Sequence, residues 1–200
     1  MNLRKSIERR LQEHGRGYAF TRKDLLDLAN SGTLGRILAR IAKDGTIRRI
    51  DRGLFDYPRV NKKLGGQLSP DIDQVAEALA RKFRWTIVPQ GALAANHLGL
   101  SQQIPAKYVY LSDGPTKQIK VGNQTIRFQH ARPKDLRADS VLSATIIQAL
   151  RHIGRDAIDH DTIKRLARML KAKDRKRLVD DTKYGADWIH QVAKQLAGNA

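Results

Sequence analysis

Residues 33–58, TLGRILARIAKDGTIRRIDRGLFDYP, set a helical apolar stripe, a glycine stop and a hairpin in immediate succession. Leu34, Ile37, Leu38 and Ile41 recur at helical spacing, and Gly45 supplies the stop. Thr33, Arg36, Arg40 and Lys43 fall at spacings of three, four and three, so they line one side of the same helix. Beyond Gly45, Thr46 to Ile50 and Leu54 to Pro58 are strand-forming runs around the turn Asp51-Arg52-Gly53, which predicts a hairpin. Ile47 and Ile50 lie on opposite parities, so the first strand is expected to carry a twist or bulge.

Upstream, Leu3, Ile7 and Leu11 predict a first helix that ends near Gly15 and Gly17. Phe20 follows as a strand or turn residue. Thr21 stands three before Asp24, the reciprocal capping pattern, and predicts a short second helix with Leu25, Leu28 and Ala29 inward. Asn30, Ser31 and Gly32 break it before the basic helix begins. Two short helices joined by a tight turn and followed by a basic hairpin define a winged helix-turn-helix over residues 1–60. In that arrangement Thr33, Arg36, Arg40 and Lys43 face base edges in the major groove. Arg48, Arg49 and Arg52 meet phosphates or the minor groove. Basic residues on an isolated surface helix would be only a solvated face; the hairpin directly after the helix argues for more.

Composition agrees with a polyanionic partner. The 200 residues hold 38 Lys and Arg against 20 Asp and Glu, a net charge of +18. A field of that sign attracts phosphate backbones. The excess is spread, with 14 basic against 7 acidic residues over 1–60, 12 against 6 over 61–140 and 12 against 7 over 141–200. No apolar run is long enough to span a bilayer and the first twenty residues have no signal-peptide core, so a cytoplasmic protein without membrane contact is expected. The absence of cysteine excludes disulfides, thiolate metal sites and a cysteine nucleophile.

Residues 61–68, with Lys62, Lys63, Gly65 and Gly66, read as a linker. Ser69 and Pro70 are expected to open a helix with the stripe Ile72, Val75, Ala76, Leu79 and Phe83. Strands are predicted at 85–88 and 108–111, a short helix at 91–98, and a second hairpin around Gly122-Asn123. Helices follow at about 140–153, 162–171 and 186–197. The fold class is therefore α+β, an N-terminal winged helix-turn-helix followed over 69–200 by a mixed α+β domain with a helical tail. The basic run Lys171 to Arg177 reads as a surface helix, and Trp188, Ile189, Val192 and Leu196 as the core face of the last one.

Three stretches resemble the AbiEi-type antitoxins of type IV, abortive-infection toxin-antitoxin systems. They are GTIRRIDRGLFDYP at 45–58, VPQGALAANHLGL at 88–100, and YVYLSDGP at 108–115 followed by KVGNQTI at 120–126. The similarity runs over most of residues 20–135 and is loose beyond about 140. It implies an N-terminal winged helix that binds operator DNA with inverted repeats in front of the toxin-antitoxin operon. It also implies a C-terminal domain that counteracts a nucleotidyltransferase-like toxin, with or without touching it.

Signals for an enzyme are weak. His152, Asp156, Asp159, His160 and Asp161 lie close in sequence, but Asp159 and Asp161 suit the start of the helix at 162 better than a metal. No phosphate-binding loop, metalloprotease helix or nucleophile elbow is present, so no catalytic residue, metal or cofactor is expected. Two functions stay open: a DNA-binding antitoxin and autorepressor, and a general or RNA-binding winged-helix module without a toxin partner.

Overall fold

In the computed structural model, which describes residues 2–132, 136 and 140–198, the chain is a mixed α+β protein with eight α-helices among the described residues. It divides into two compact units, residues 1–85 with 118–126, and residues 86–117 with 127–200.

In the first unit, helix α1 (Leu3–His14) begins at Asn2, whose side chain accepts from the Arg4 amide, and buries Ile7 and Leu11. Strand β1 (Ala19–Thr21) follows. The capping box at Thr21 forms as expected: Asp24 Oδ2 accepts from the Thr21 amide at 2.7 Å and Thr21 Oγ1 from the Lys23 amide at 3.2 Å. What it starts is not the expected α-helix. Arg22–Leu25 is a single 3-10 turn, and the Leu28 amide donates to the Leu25 carbonyl at 2.9 Å. The segment is confined between two caps, since Asn30 already caps the next helix with its Oδ1 accepting from the Thr33 amide, and a short confined segment favours the tighter 3-10 turn. Helix α2 (Ser31–Lys43) buries Leu34, Leu38 and Ile41.

Strands β2 (Arg48–Asp51) and β3 (Leu54–Asp56) form the expected hairpin, and with β1 make an antiparallel sheet in the order β1-β3-β2. The register shifts between Arg49 and Asp51, so the bulge falls at Ile50, where parity required one. Phe20 lies opposite Phe55, and their rings stack at 5.8 Å on a core with Ile7, Leu11, Leu34 and Leu38.

The segment expected as a linker is ordered instead. Strands β4 (Val60–Asn61) and β5 (Gly66–Gln67) pair around a 3-10 turn at Lys62–Leu64. Three bonds hold this hairpin: the Leu68 amide donates to the Arg59 carbonyl, Arg48 Nη1 to the Leu68 carbonyl, and Gln67 Nε2 to the Gly45 carbonyl. Helix α3 (Ile72–Phe83), expected with the second domain, also groups with the first sixty residues. Its cap is Asp71 rather than Ser69, accepting from the Asp73 and Gln74 amides. Arg81 fastens it, with Nε donating to Asp24 Oδ1 and Nη2 to the Ala19 carbonyl, both at 2.8 Å. Sequence periodicity located the helix correctly but carries no information on which unit it joins.

In the second unit, β6 (Ile87–Pro89) pairs antiparallel with β7 (Tyr108–Ser112), and α4 (Ala92–His97) lies between them in sequence. Strands β8 (Lys117–Val121) and β9 (Gln124–His130) form the second hairpin, whose residues 118–126 group with the first unit, and the sheet order is β6-β7-β9-β8. The tail is helical: α5 (Val141–Ile153), α6 (His160–Met169), α7 (Ala172–Thr182) and α8 (Asp187–Gly198). Ile146, Leu150, Leu166, Leu178, Ile189 and Leu196 form its core, with Trp188 and Val192 packed against it as the spacing predicts. Among the described residues, no helix is long and apolar enough to cross a membrane.

Candidate nucleic-acid interface

Helix α2 is amphipathic with one basic side. Arg36, Arg40 and Lys43 are all exposed, and among the described residues none of the three makes an ion pair or side-chain hydrogen bond. Ala39 lies among them on the same exposed face. Thr33 sits at its margin: it is half-buried, and its amide is taken by the Asn30 cap. Arg40 and Lys43 lie in the last turn, where positive charge also favours the helix dipole by roughly 0.3–1 kcal/mol.

The joint between α2 and β2 is fixed by Asp44. Its Oδ1 accepts from the Thr46 hydroxyl at 2.7 Å and the Thr46 amide at 3.1 Å, and Arg4 Nη2 lies 2.6 Å from Oδ2. The Thr46 hydroxyl, then its amide, and the Arg4 charge hold the Asp44 carboxyl below the ordinary aspartate range.

The three expected hairpin arginines part company. Arg52 is exposed in the β2–β3 turn, with no side-chain partner among the described residues, and its amide is taken by Asp51 Oδ1 at 2.6 Å. Arg49 is exposed and makes only a long 3.4 Å contact to the Asp51 carbonyl. Arg48 is committed within the fold. It lies opposite Asp56 in the register and donates through Nε and Nη2 to the two carboxylate oxygens at 3.0 and 2.6 Å. A third bond reaches the Leu68 carbonyl at 2.9 Å. It is a structural residue, and the cross-strand position that makes it so follows from the bulge.

Sequence reasoning missed Arg22. This first residue of the 3-10 turn is exposed, and its side chain makes no ion pair or hydrogen bond among the described residues. Its guanidinium lies over two glycines: a Cβ built on Gly35 would be 3.3 Å from Nη1, and one on Gly53 would be 3.9 Å from Nε and Nη2. Gly35 precedes Arg36 on α2 and Gly53 follows Arg52 in the turn, so Arg22 lies where the helix and the hairpin tip come together. The available signal was Gly35 itself, a residue that costs a helix interior about 1 kcal/mol relative to alanine and so calls for a reason.

Of the acidic and histidine residues near position 159, Asp159 has a structural task. Asp159 caps α6, its Oδ1 accepting from the Thr162 amide at 2.8 Å and the Thr162 hydroxyl at 2.7 Å, which lowers its pKa in that order of effect. Among the described residues, no three His, Asp or Glu side chains converge as metal ligands would.

Fold and site together define an α+β protein whose first unit presents a basic helix face beside a basic hairpin turn. The chain belongs to the family of unknown function DUF6088, whose model matches residues 6–178. No curated protein matches it.

Proposed function

We propose that the first unit is a winged helix-turn-helix that docks on duplex DNA, α2 in the major groove and the β2–β3 turn on the backbone. We further propose that the chain is an antitoxin and autorepressor of the AbiEi type, bound to inverted operator repeats and opposed to a nucleotidyltransferase-like toxin. The antitoxin half rests on the sequence resemblance over residues 20–135.

The observation that carries the DNA half is a cluster of cations without carboxylate partners. In the first unit Arg4, Arg9, Arg10, Arg48, Arg59 and Arg81 each lie within 4 Å of a carboxylate. Among the described residues Arg36, Arg40, Lys43 and Arg52 have none, as is also true of Arg22 and Arg49 beside them and of Arg16 and Arg84 elsewhere in the unit. Charge left unpaired on one helix face and the adjoining turn supports a polyanionic ligand there.

The test is a titration of the full chain against the duplex upstream of its own gene and a scrambled duplex. Arg40→Ala should lose about 1–3 kcal/mol of discrimination, whereas Arg52→Ala should weaken both duplexes alike. Equal losses on both duplexes for Arg40→Ala would remove the base-reading role. Co-expression with the neighbouring toxin tests the antitoxin half, and unrelieved growth arrest would refute it.

A further inference from the structure

Arg22 stands at the meeting point of α2 and the β2–β3 turn without a side-chain partner among the described residues. Its location depends on two residues that lack side chains. Gly53 has φ +73°, so the turn requires glycine there for backbone reasons alone. Gly35 has no such excuse: it sits inside α2 at ordinary helical dihedrals, where alanine would be better for the helix. Its neighbour is the guanidinium, 3.3 Å from where a Cβ would stand, so a methyl group there would shift the guanidinium by a few tenths of an ångström.

We propose that Arg22 is a backbone-phosphate contact of the nucleic-acid face, seated between Arg36 and Arg52 by Gly35 and Gly53, and that Gly35 is kept for this seat at the helix's expense. The inference rests on the DNA reading above and adds a residue to it. A phosphate approaching between the helix and the hairpin tip meets a guanidinium whose five donors have no competing acceptor among the described residues. Because the contact is to the backbone, it adds affinity without sequence preference. The glycine seat sets where the cation is presented, holding it between the two halves of the face.

The experiment compares the full chain with Arg22→Ala, Gly35→Ala, the double variant, and Arg151→Ala. The last removes the same charge from an exposed position on α5 outside this face. The probe is a mixed-sequence DNA duplex of roughly two helical turns, titrated over a range of salt, alongside thermal melts. Arg22→Ala should weaken binding severalfold and lower the log–log salt slope by about 0.9, with Arg151→Ala close to wild type. Gly35→Ala should raise the melting temperature by about 3 °C yet weaken binding, a combination that a purely structural glycine would not produce. The double variant should bind no worse than Arg22→Ala.

A slope for Arg22→Ala equal to that of Arg151→Ala overturns the proposal while leaving the DNA reading standing. A double variant weaker than Arg22→Ala shows that Gly35 acts on its own and overturns the seat. A wild-type chain that does not bind the duplex removes the DNA reading, and this inference with it.

Discussion

Arg48 and Asp56 face each other across the β2–β3 ladder and are joined by a two-point ion pair, Nε to Oδ1 at 3.0 Å and Nη2 to Oδ2 at 2.6 Å. The Asp56 side chain is 1% exposed and that of Arg48 27%. Truncating the arginine leaves a carboxylate that is shut away from water without its counter-charge. Arg48→Ala should therefore cost about 3 kcal/mol of stability, at the low end for a buried pair because water reaches Arg48. Arg49→Ala and Arg52→Ala should stay within about 0.5 kcal/mol of wild type, since neither side chain is tied into the fold. Urea unfolding of the three variants checks this; equal midpoints for all three would refute the assignment of Arg48 to structure.

Acid should loosen the first unit through two surface carboxylates. Arg10 donates to both oxygens of Asp27, at 2.8 and 2.7 Å, and these bonds lower the Asp27 pKa from its ordinary 3.8. Asp44 is lowered in the same direction by Thr46. A lowered carboxylate contributes stability that is present above the unfolded value and lost as pH falls through the folded one. The urea midpoint should thus fall as pH drops below about 4. Asp27→Asn should be less stable than wild type near neutrality and converge with it in acid. A difference between the two that persists unchanged to about pH 2 would rule out titration of Asp27 as its source.

Arg84 ends helix α3 at φ 59° and ψ 40°, the left-handed conformation, and is the only residue other than glycine with positive φ among the described residues. Its side chain is exposed and makes no ion pair or hydrogen bond among those residues. Glycine takes this conformation without a Cβ penalty, so Arg84→Gly should stabilise the chain by about 0.5–1 kcal/mol. Arg84→Ala keeps the Cβ and should bring no such gain. Thermal melts of the pair decide it, and a gain shared by both variants would trace the effect to charge rather than backbone strain.

What was legible in the sequence was local. Leu34, Leu38 and Ile41 located α2, the parity of Ile47 and Ile50 located the bulge, and Thr21 with Asp24 located a cap. What was not legible depended on partners far along the chain. The short element after Thr21 had helical spacing at Leu25, Leu28 and Ala29 but is confined between two caps. Residues 61–68 had linker composition, and their order comes from bonds to Arg48, Gly45 and Arg59 that no window of sequence contains. Arg48 and Arg49 are neighbours of identical chemistry, and only the strand register separates the structural one from the free one.

The same distinction applies within the basic run Lys171 to Arg177. Helix α7 opens in this run with Lys173, Arg175 and Lys176 near its N-terminus, where positive charge opposes the dipole. Arg175 is different from its neighbours because its guanidinium turns back onto the end of α6. Nη2 donates to the Ala167 carbonyl at 2.7 Å and Nε to the Leu170 carbonyl at 3.2 Å, groups left open at a helix C-terminus. Lys176 and Arg177 are exposed and make no such bond. Arg175→Ala should cost about 1–2 kcal/mol through the uncapped carbonyls. Lys176→Ala should be neutral or slightly stabilising, since it removes a charge that the dipole disfavours. Arg175→Lys should recover little, because a single ammonium cannot reproduce the planar fork that spans both carbonyls. Urea unfolding of the four chains measures the order, and full recovery by Arg175→Lys would show that charge, not the guanidinium geometry, joins α6 to α7.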